Sequence, residues 1–201
     1  MQCRLSRRRW PTMHRTISLN HCFLAALALA LAGCVSQYEY GAAPDSATLR
    51  IVGNTANFFT DAYENEGCKP NRSGGRLATF YGPTKDAPSP EAGKTVLIPS
   101  GKPFVLTHRY IDARFAQNRI CSVTVSFVPE PGGIYQTYFY VEPEVEGCDT
   151  LVSEAGGSPG ESVSSFKYNE KLCPSGLDRG AMNRQPVRVN WKADVHFSPA
   201  R

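Results

Sequence analysis

The chain predicts an all-β fold, a two-layer antiparallel β-sandwich of about eight strands. Three observations carry this. Short apolar runs with two-residue alternation recur about eight to fifteen residues apart along the chain after residue 46. Turn residues punctuate them, with 17 Gly and 15 Pro among 201 residues. No stretch shows the 3.6-residue period of an amphipathic helix. A hydrophobic content of 41% against 20% charged residues is that of a foldable chain and excludes a disordered one.

The elements follow in order. Thr48 to Val52 alternates and stops at Gly53-Asn54. Phe58 to Tyr63 is aromatic-rich, and Arg76 to Tyr81 is closed by Gly82-Pro83. After a Pro-rich loop, Thr95 to Ile98 leads into the turn Pro99-Ser100-Gly101-Lys102-Pro103, and Phe104 to Tyr110 follows. Ile120 to Val128 is the clearest strand: Cys121, Val123, Val125 and Phe127 share one face, and Ser122, Thr124 and Ser126 the other. Pro129 to Gly133 turns the chain and Tyr135 to Val141 returns, so these two strands read as a hairpin. Cys148 to Ser153 is another strand, and Val163 to Tyr168 and Pro186 to Phe197 supply one or two more. Leu172 to Arg184 is irregular and positioned to wrap an edge. A sandwich of Ig-like or transthyretin-like type fits this count.

The N-terminus has a different character. Five of the 22 basic residues (Arg4, Arg7, Arg8, Arg9, Arg15) precede residue 34, and none of the 18 acidic ones do. The remainder is close to neutral, which removes the case for nucleic-acid binding. The basic stretch runs into Cys22 to Ala32, which is long enough for the core of a secretory signal and too short to span a bilayer. The segment Leu31-Ala32-Gly33-Cys34 is similar to a bacterial lipobox. A small Gly33 admits the backbone to the signal peptidase, and the Cys34 thiol can carry a thioether-linked diacylglycerol. Cleavage after Gly33 frees the Cys34 amine for a further acyl chain such as palmitate, and two or three chains anchor stably where one does not. Residues 1–33 are thus expected to be a signal peptide, with Met13 the favoured start, and 34–46 a lipidated tether. Residues 47–201 are expected to form a single domain. Fully extended, Val35 to Ser46 reaches about 40 Å.

Four cysteines follow the lipid site: Cys68, Cys121, Cys148 and Cys173. An even number in an oxidising periplasm predicts two disulfides, with three pairings possible. The shortest closure, Cys148 to Cys173, leaves Cys68 to Cys121, and this is the pairing expected. No two lie at zinc-ligand spacing, and none has the setting of a catalytic thiol.

The leader, the segment Ala-Thr-Leu-Arg-Ile-Val from Ala47, and Cys121 to Tyr135 with its Pro-Glu and glycine turn resemble small, uncharacterised β-sandwich lipoproteins of Gram-negative bacteria. In such lipoproteins an Asp after the lipidated Cys signals inner-membrane retention. Val35 there implies the periplasmic face of the outer membrane. The resemblance brings no activity.

Other candidate chemistry is sparse. Gly156-Gly157-Ser158-Pro159-Gly160 matches a hydrolase elbow in letters, but Pro159 has no N–H to donate to an oxyanion, so a loop is expected. His108 falls with Phe104 and Leu106 on the core face, and His196 sits near Asp194 in what reads as a surface pair. Glu142, Glu144 and Glu146, with Asp149 following, read as a solvated acidic edge and not a calcium site. Tyr138 and Tyr140 lie opposite the apolar set Tyr135, Thr137, Phe139 and Val141, which displays two tyrosines as a recognition face for sugar rings or peptide. No metal and no cofactor beyond the acyl chains is expected. The expected role is a non-catalytic binding or structural module, tied to the membrane by its lipid, with an envelope protein or glycan as partner. A subunit of a secretion or envelope-assembly machine, and an inhibitor or enzyme acting at the cell wall, are the alternatives.

Overall fold

The computed structural model describes residues 37–70, 75–82, 91–113, 119–142, 147–158, 160–170, 172–173 and 182–184. Among these it is all-β, with ten strands in two sheets: β1 Ala47–Gly53, β2 Phe58–Tyr63, β3 Arg76–Phe80, β4 Lys94–Ile98, β5 Phe104–Asp112, β6 Arg119–Phe127, β7 Ile134–Val141, β8 Cys148–Glu154, β9 Lys167–Tyr168 and β10 Met182–Arg184. A four-stranded sheet has the order β4-β1-β7-β8. A six-stranded sheet has the order β10-β6-β5-β2-β3, with β9 also on β6. Most pairs are antiparallel, and β1–β7 and β6–β10 run parallel.

The two-residue period places the core. Leu49 and Ile51 of β1 and Tyr135, Phe139 and Val141 of β7 face Phe58, Leu106, Cys121, Val123, Val125 and Phe127 from the other sheet, all buried. Phe58 stacks on Phe80 at 4.5 Å and meets Phe139 across the sheets at 5.3 Å. Gly53 has no alternative at this seam, because a Cβ there would stand 2.9 Å from both the Phe139 carbonyl oxygen and the Phe58 ring.

The expected hairpin of Ile120 to Val128 with Tyr135 to Val141 is not formed, since β6 and β7 lie in different sheets. Pro129 and Pro131 have no N–H to extend a ladder, and five residues are too many for a tight two-residue turn. The connector instead arches across the sandwich. Glu130 N donates to Tyr135 Oη at 2.8 Å and Gly133 N to the Glu130 carbonyl at 3.0 Å. β7 then adds to β1, starting from the same end.

The disulfide pairing also differs from expectation: the bonds are Cys68–Cys173 and Cys121–Cys148. Loop length was the wrong criterion, because the face each cysteine occupies decides. Cys121 and Cys148 both point inward from opposite sheets, so their bond staples the sandwich through its core. Cys173 returns over the outer face of the six-stranded sheet, where it meets Cys68 of the β2–β3 loop.

That outer face is a second buried layer. Ser122, Thr124 and Ser126, which alternation alone assigns to solvent, are buried. Thr107 Oγ1 meets Thr124 Oγ1 at 2.8 Å, and Ser126 Oγ donates to Glu66 at 2.9 Å. Cys173 packs with Tyr63, Val105 and Cys68. On the edge of β6 away from β5, β10 pairs with Arg119 to Cys121 and β9 with Val125 and Ser126, one after the other, as the edge-wrapping reading of Leu172 to Arg184 anticipates for 182–184. Pro186 to Phe197 and His196 lie outside the described residues.

From Gln37 onward, the segment read as a tether lies on the domain. Gln37 bridges to Arg76 in parallel, and Tyr38 N donates to the Arg76 carbonyl at 2.9 Å. The Tyr38 ring packs edge-on against Phe104 at 6.4 Å.

The Cys68–Cys173 bond closes a sequence separation of 105, so it restricts the unfolded chain more than the core bond, with a separation of 27. Replacing both of its cysteines by Ser is expected to lower stability by about 2–5 kcal/mol. The check is the urea unfolding midpoint of that pair against the parent protein.

Candidate functional site

Three places concentrate chemistry-bearing side chains: the middle of the core, the outer face of the six-stranded sheet, and the outer face of the four-stranded sheet.

His108 is the core residue that the alternation predicts. It is fully enclosed and stacks on Phe139 at 5.1 Å. Its Nδ1 is 2.8 Å from Thr60 Oγ1 and its Nε2 is 2.8 Å from Thr137 Oγ1. Thr137 Oγ1 lies 3.3 Å from Thr150 Oγ1, which donates to the Tyr138 carbonyl at 3.1 Å. That last bond orients the whole row. Thr150 has spent its proton, so Thr137 donates to Thr150 and accepts from Nε2–H. Nδ1 is left to accept from Thr60. The relay therefore holds a neutral imidazole between the sheets, and burial pushes its pKa down to about 3. A group so enclosed serves structure, not proton transfer to a substrate.

On the six-stranded sheet, Arg109 is a buried cation. Its Nε donates to Ser122 Oγ at 3.0 Å and its Nη2 to the Cys173 carbonyl at 2.8 Å. Asp61 neutralises it at 3.7 Å and accepts from Arg76 Nε at 2.5 Å. Arg76 lies over the Phe59 ring at 3.9 Å. Beside this cluster runs a groove of about 340 Å³, with Phe59, Arg76, Thr79, Tyr81 and Ile111 on its walls. Tyr81 is 65% exposed. Sequence reasoning missed both. The aromatic β2 and β3 are legible, but that their outer face is part covered and part grooved depends on Cys173, over 90 residues further along the chain.

On the four-stranded sheet, Tyr138 and Tyr140 occupy the outer face as alternation predicts, but half-buried. Tyr138 is paired across the sheet with Val52 and Leu151, both buried. Its hydroxyl pKa is raised by burial first, then by Glu91 and Tyr140. Arg50 and Gln136 lie on the same face, and Arg50 is held by the Glu91 and Ala92 carbonyls at 3.3 and 3.1 Å.

The remaining sequence candidates separate. Asp149 is buried and accepts from Tyr168 Oη at 2.8 Å, so it is a structural acceptor. Glu144 and Glu146 lie outside the described residues. Ser158 is exposed in a loop, with Gly156 and Gly160 in the left-handed region, and Pro159 lies outside the described residues. Among the described residues no group of three or more His, Cys, Asp or Glu is placed to hold a metal, and no helix is long and apolar enough to cross a membrane. Cys34 and Gly33 lie outside the described residues. No protein-family model, curated protein or solved structure matches this chain.

In the unfolded chain the His108 imidazole takes a proton near pH 6.5, and in the folded chain it resists protonation down to about 3. Between those values unfolding takes up a proton, so stability is intact above 6.5 and falls as pH drops, by about 1.4 kcal/mol per unit for one site. Between pH 7 and pH 5 the urea midpoint of the parent should therefore fall further than that of His108→Gln, whose amide does not titrate. Equal slopes would remove the relay's role.

Proposed function

We propose that the chain is a lipid-anchored envelope protein, held by acyl chains on Cys34 at the periplasmic face of the outer membrane. Its domain acts there as a non-catalytic binding module for envelope glycan. The anchor reading rests on the basic leader, the short apolar run and Leu31-Ala32-Gly33-Cys34. One structural observation supports it: the four cysteines beyond residue 34 are consumed by Cys68–Cys173 and Cys121–Cys148. Such bonds persist in an oxidising compartment, and the pairing leaves Cys34 as the one cysteine of the processed chain available for another chemistry.

Binding is favoured over catalysis by what the reactive groups already do. His108 is sealed in the core between two threonines, and Asp61 and Arg109 neutralise each other. The outer face of the four-stranded sheet instead offers Tyr138 and Tyr140 beside Arg50 and Gln136. This is the mix of flat aromatic and hydrogen-bonding groups that a sugar needs.

Two measurements test the reading. Mass spectrometry of the native N-terminus should find acyl chains on Cys34, and Cys34→Ser protein should leave the membrane fraction. Soluble domain should co-sediment with isolated peptidoglycan sacculi, and Tyr138→Ala combined with Tyr140→Ala should weaken this by about tenfold or more. Unchanged sedimentation would remove the tyrosine face. A loss with Tyr81→Ala instead would move the contact to the groove beside Arg76.

A further inference from the structure

We propose that the lipidated protein stands end-on and flush against a zwitterionic phospholipid surface, seated by the end of the sandwich from which β1 and β7 start. The inference rests on the lipid anchor at Cys34 and concerns what that anchor does to the domain.

The argument begins with chain length. A leash from Cys34 to Ser46 would let the domain drift about 40 Å from the bilayer. The structure shortens it. Gln37 is already paired with Arg76, Tyr38 is hydrogen-bonded to the same residue, and the Tyr38 ring is packed on Phe104 and on Tyr40. Three Cα steps separate Cys34 from Gln37, a reach of about 11 Å. Gln37 runs parallel to β3 at Arg76, so the described chain begins beside the start of β3.

That is also the end where three connections are tied together. Gly132 N donates to the Ser46 carbonyl at 3.1 Å, Gly101 N to the Pro129 carbonyl at 2.7 Å, and Ser100 Oγ to the Asp45 carbonyl. Of the three exposed large hydrophobic side chains among the described residues, two sit here, Val128 at 39% and Ile134 at 59%. The third, Tyr81, is at the opposite end of the strands, just past β3.

The charge of the seat selects the surface. Among the described residues Glu39, Asp45, Glu66, Glu130 and Glu154 are exposed around it, against the cations Lys102 and Lys167, while Lys69 is paired with Glu64 at 2.7 Å. Anionic lipid would repel this rim, whereas zwitterionic headgroups offer ammonium groups to its carboxylates. The exposed aliphatics then rest at headgroup depth, and the leash does the holding.

The experiment places an indole at either end of the native lipidated protein by Ile134→Trp or Tyr81→Trp, both exposed positions. The Trp191 signal, shared with the parent, is subtracted. Protein in phosphatidylethanolamine-rich vesicles carrying a shallow quencher-labelled lipid should show several-fold stronger quenching at position 134 than at 81. A flexible Gly/Ser spacer of twelve residues between Ser36 and Gln37 should abolish the difference, and so should a change to vesicles rich in phosphatidylglycerol. Equal quenching at the two ends, or a difference that survives the spacer, would overturn the seating while leaving the anchor in place. Protein that fails to float with vesicles, with no acyl mass at Cys34, would instead overturn the anchor.

Discussion

The structure depends on a polar bridge through an apolar core. The His108 ring on β5 is gripped by hydrogen bonds from both sheets, through Thr60 on β2 and Thr137 on β7. An unpaired imidazole in this setting would carry a desolvation cost of about 1–3 kcal/mol. Satisfied on both nitrogens, it becomes a specificity device. Thr60 must stand opposite His108 in the β2–β5 register, and Thr137 opposite Val152 beside Thr150 on β8. A slip of one residue in any of these strands would turn the threonine outward and strand the imidazole. The apolar residues supply most of the driving force, but many apolar arrangements would do so. The row Thr60, His108, Thr137, Thr150 admits one.

The outer layer of the six-stranded sheet repeats this logic with charge. Arg109 is buried because Cys173 crosses above it and lends a carbonyl, while Asp61 lends a carboxylate. Removing one partner from such a pair costs about 3–5 kcal/mol. The Cys68–Cys173 bond thus does more than restrict the unfolded chain. It fixes the strap that seals a guanidinium from water. Glu66, in the same loop as Cys68, takes Ser126 Oγ and receives Asn169 Nδ2 on its carbonyl at 2.9 Å, so the cover is tied to β6 and to the end of β9.

What was legible in the sequence is what depends on local period. Nine of the ten strands fall in segments that the sequence marks as strands, β10 lying in the stretch read as irregular, and the inward sets of β6 and β7 are readable residue by residue. His108 was placed in the core by its neighbours Phe104 and Leu106 alone. The errors all concern partners distant along the chain. Pro129 to Gly133 does turn the chain, but whether a turn folds back within a sheet or arches between sheets depends on β1, some 80 residues earlier, accepting β7 as a parallel neighbour. The disulfides were misassigned because loop length ignores which side of a sheet a thiol faces. Ser122, Thr124 and Ser126 have the letters of a solvated face, and nothing near them in sequence reveals the strap that covers them. Tyr138 and Tyr140 were assigned to the right face, but their half-burial follows from Val52 and Leu151 on neighbouring strands.

These constraints bear on where recognition takes place. On the anchoring proposed above, a domain held by three residues of leash could not search the periplasm, so a ligand would have to come within reach of its upper parts. Seated as proposed on the end that holds Val128 and Ile134, the sandwich would lift its opposite end away from the bilayer. Tyr140 lies one residue from the far end of β7, and Tyr81 lies just beyond the far end of β3. The tyrosine face and the groove would then both be carried above the headgroups, on strands that the His108 relay and the Cys121–Cys148 bond tie together. A long flexible tether would give a binding module range. A short one gives it a fixed height and orientation, which suits a ligand that is itself held in a layer parallel to the membrane, as envelope glycan is.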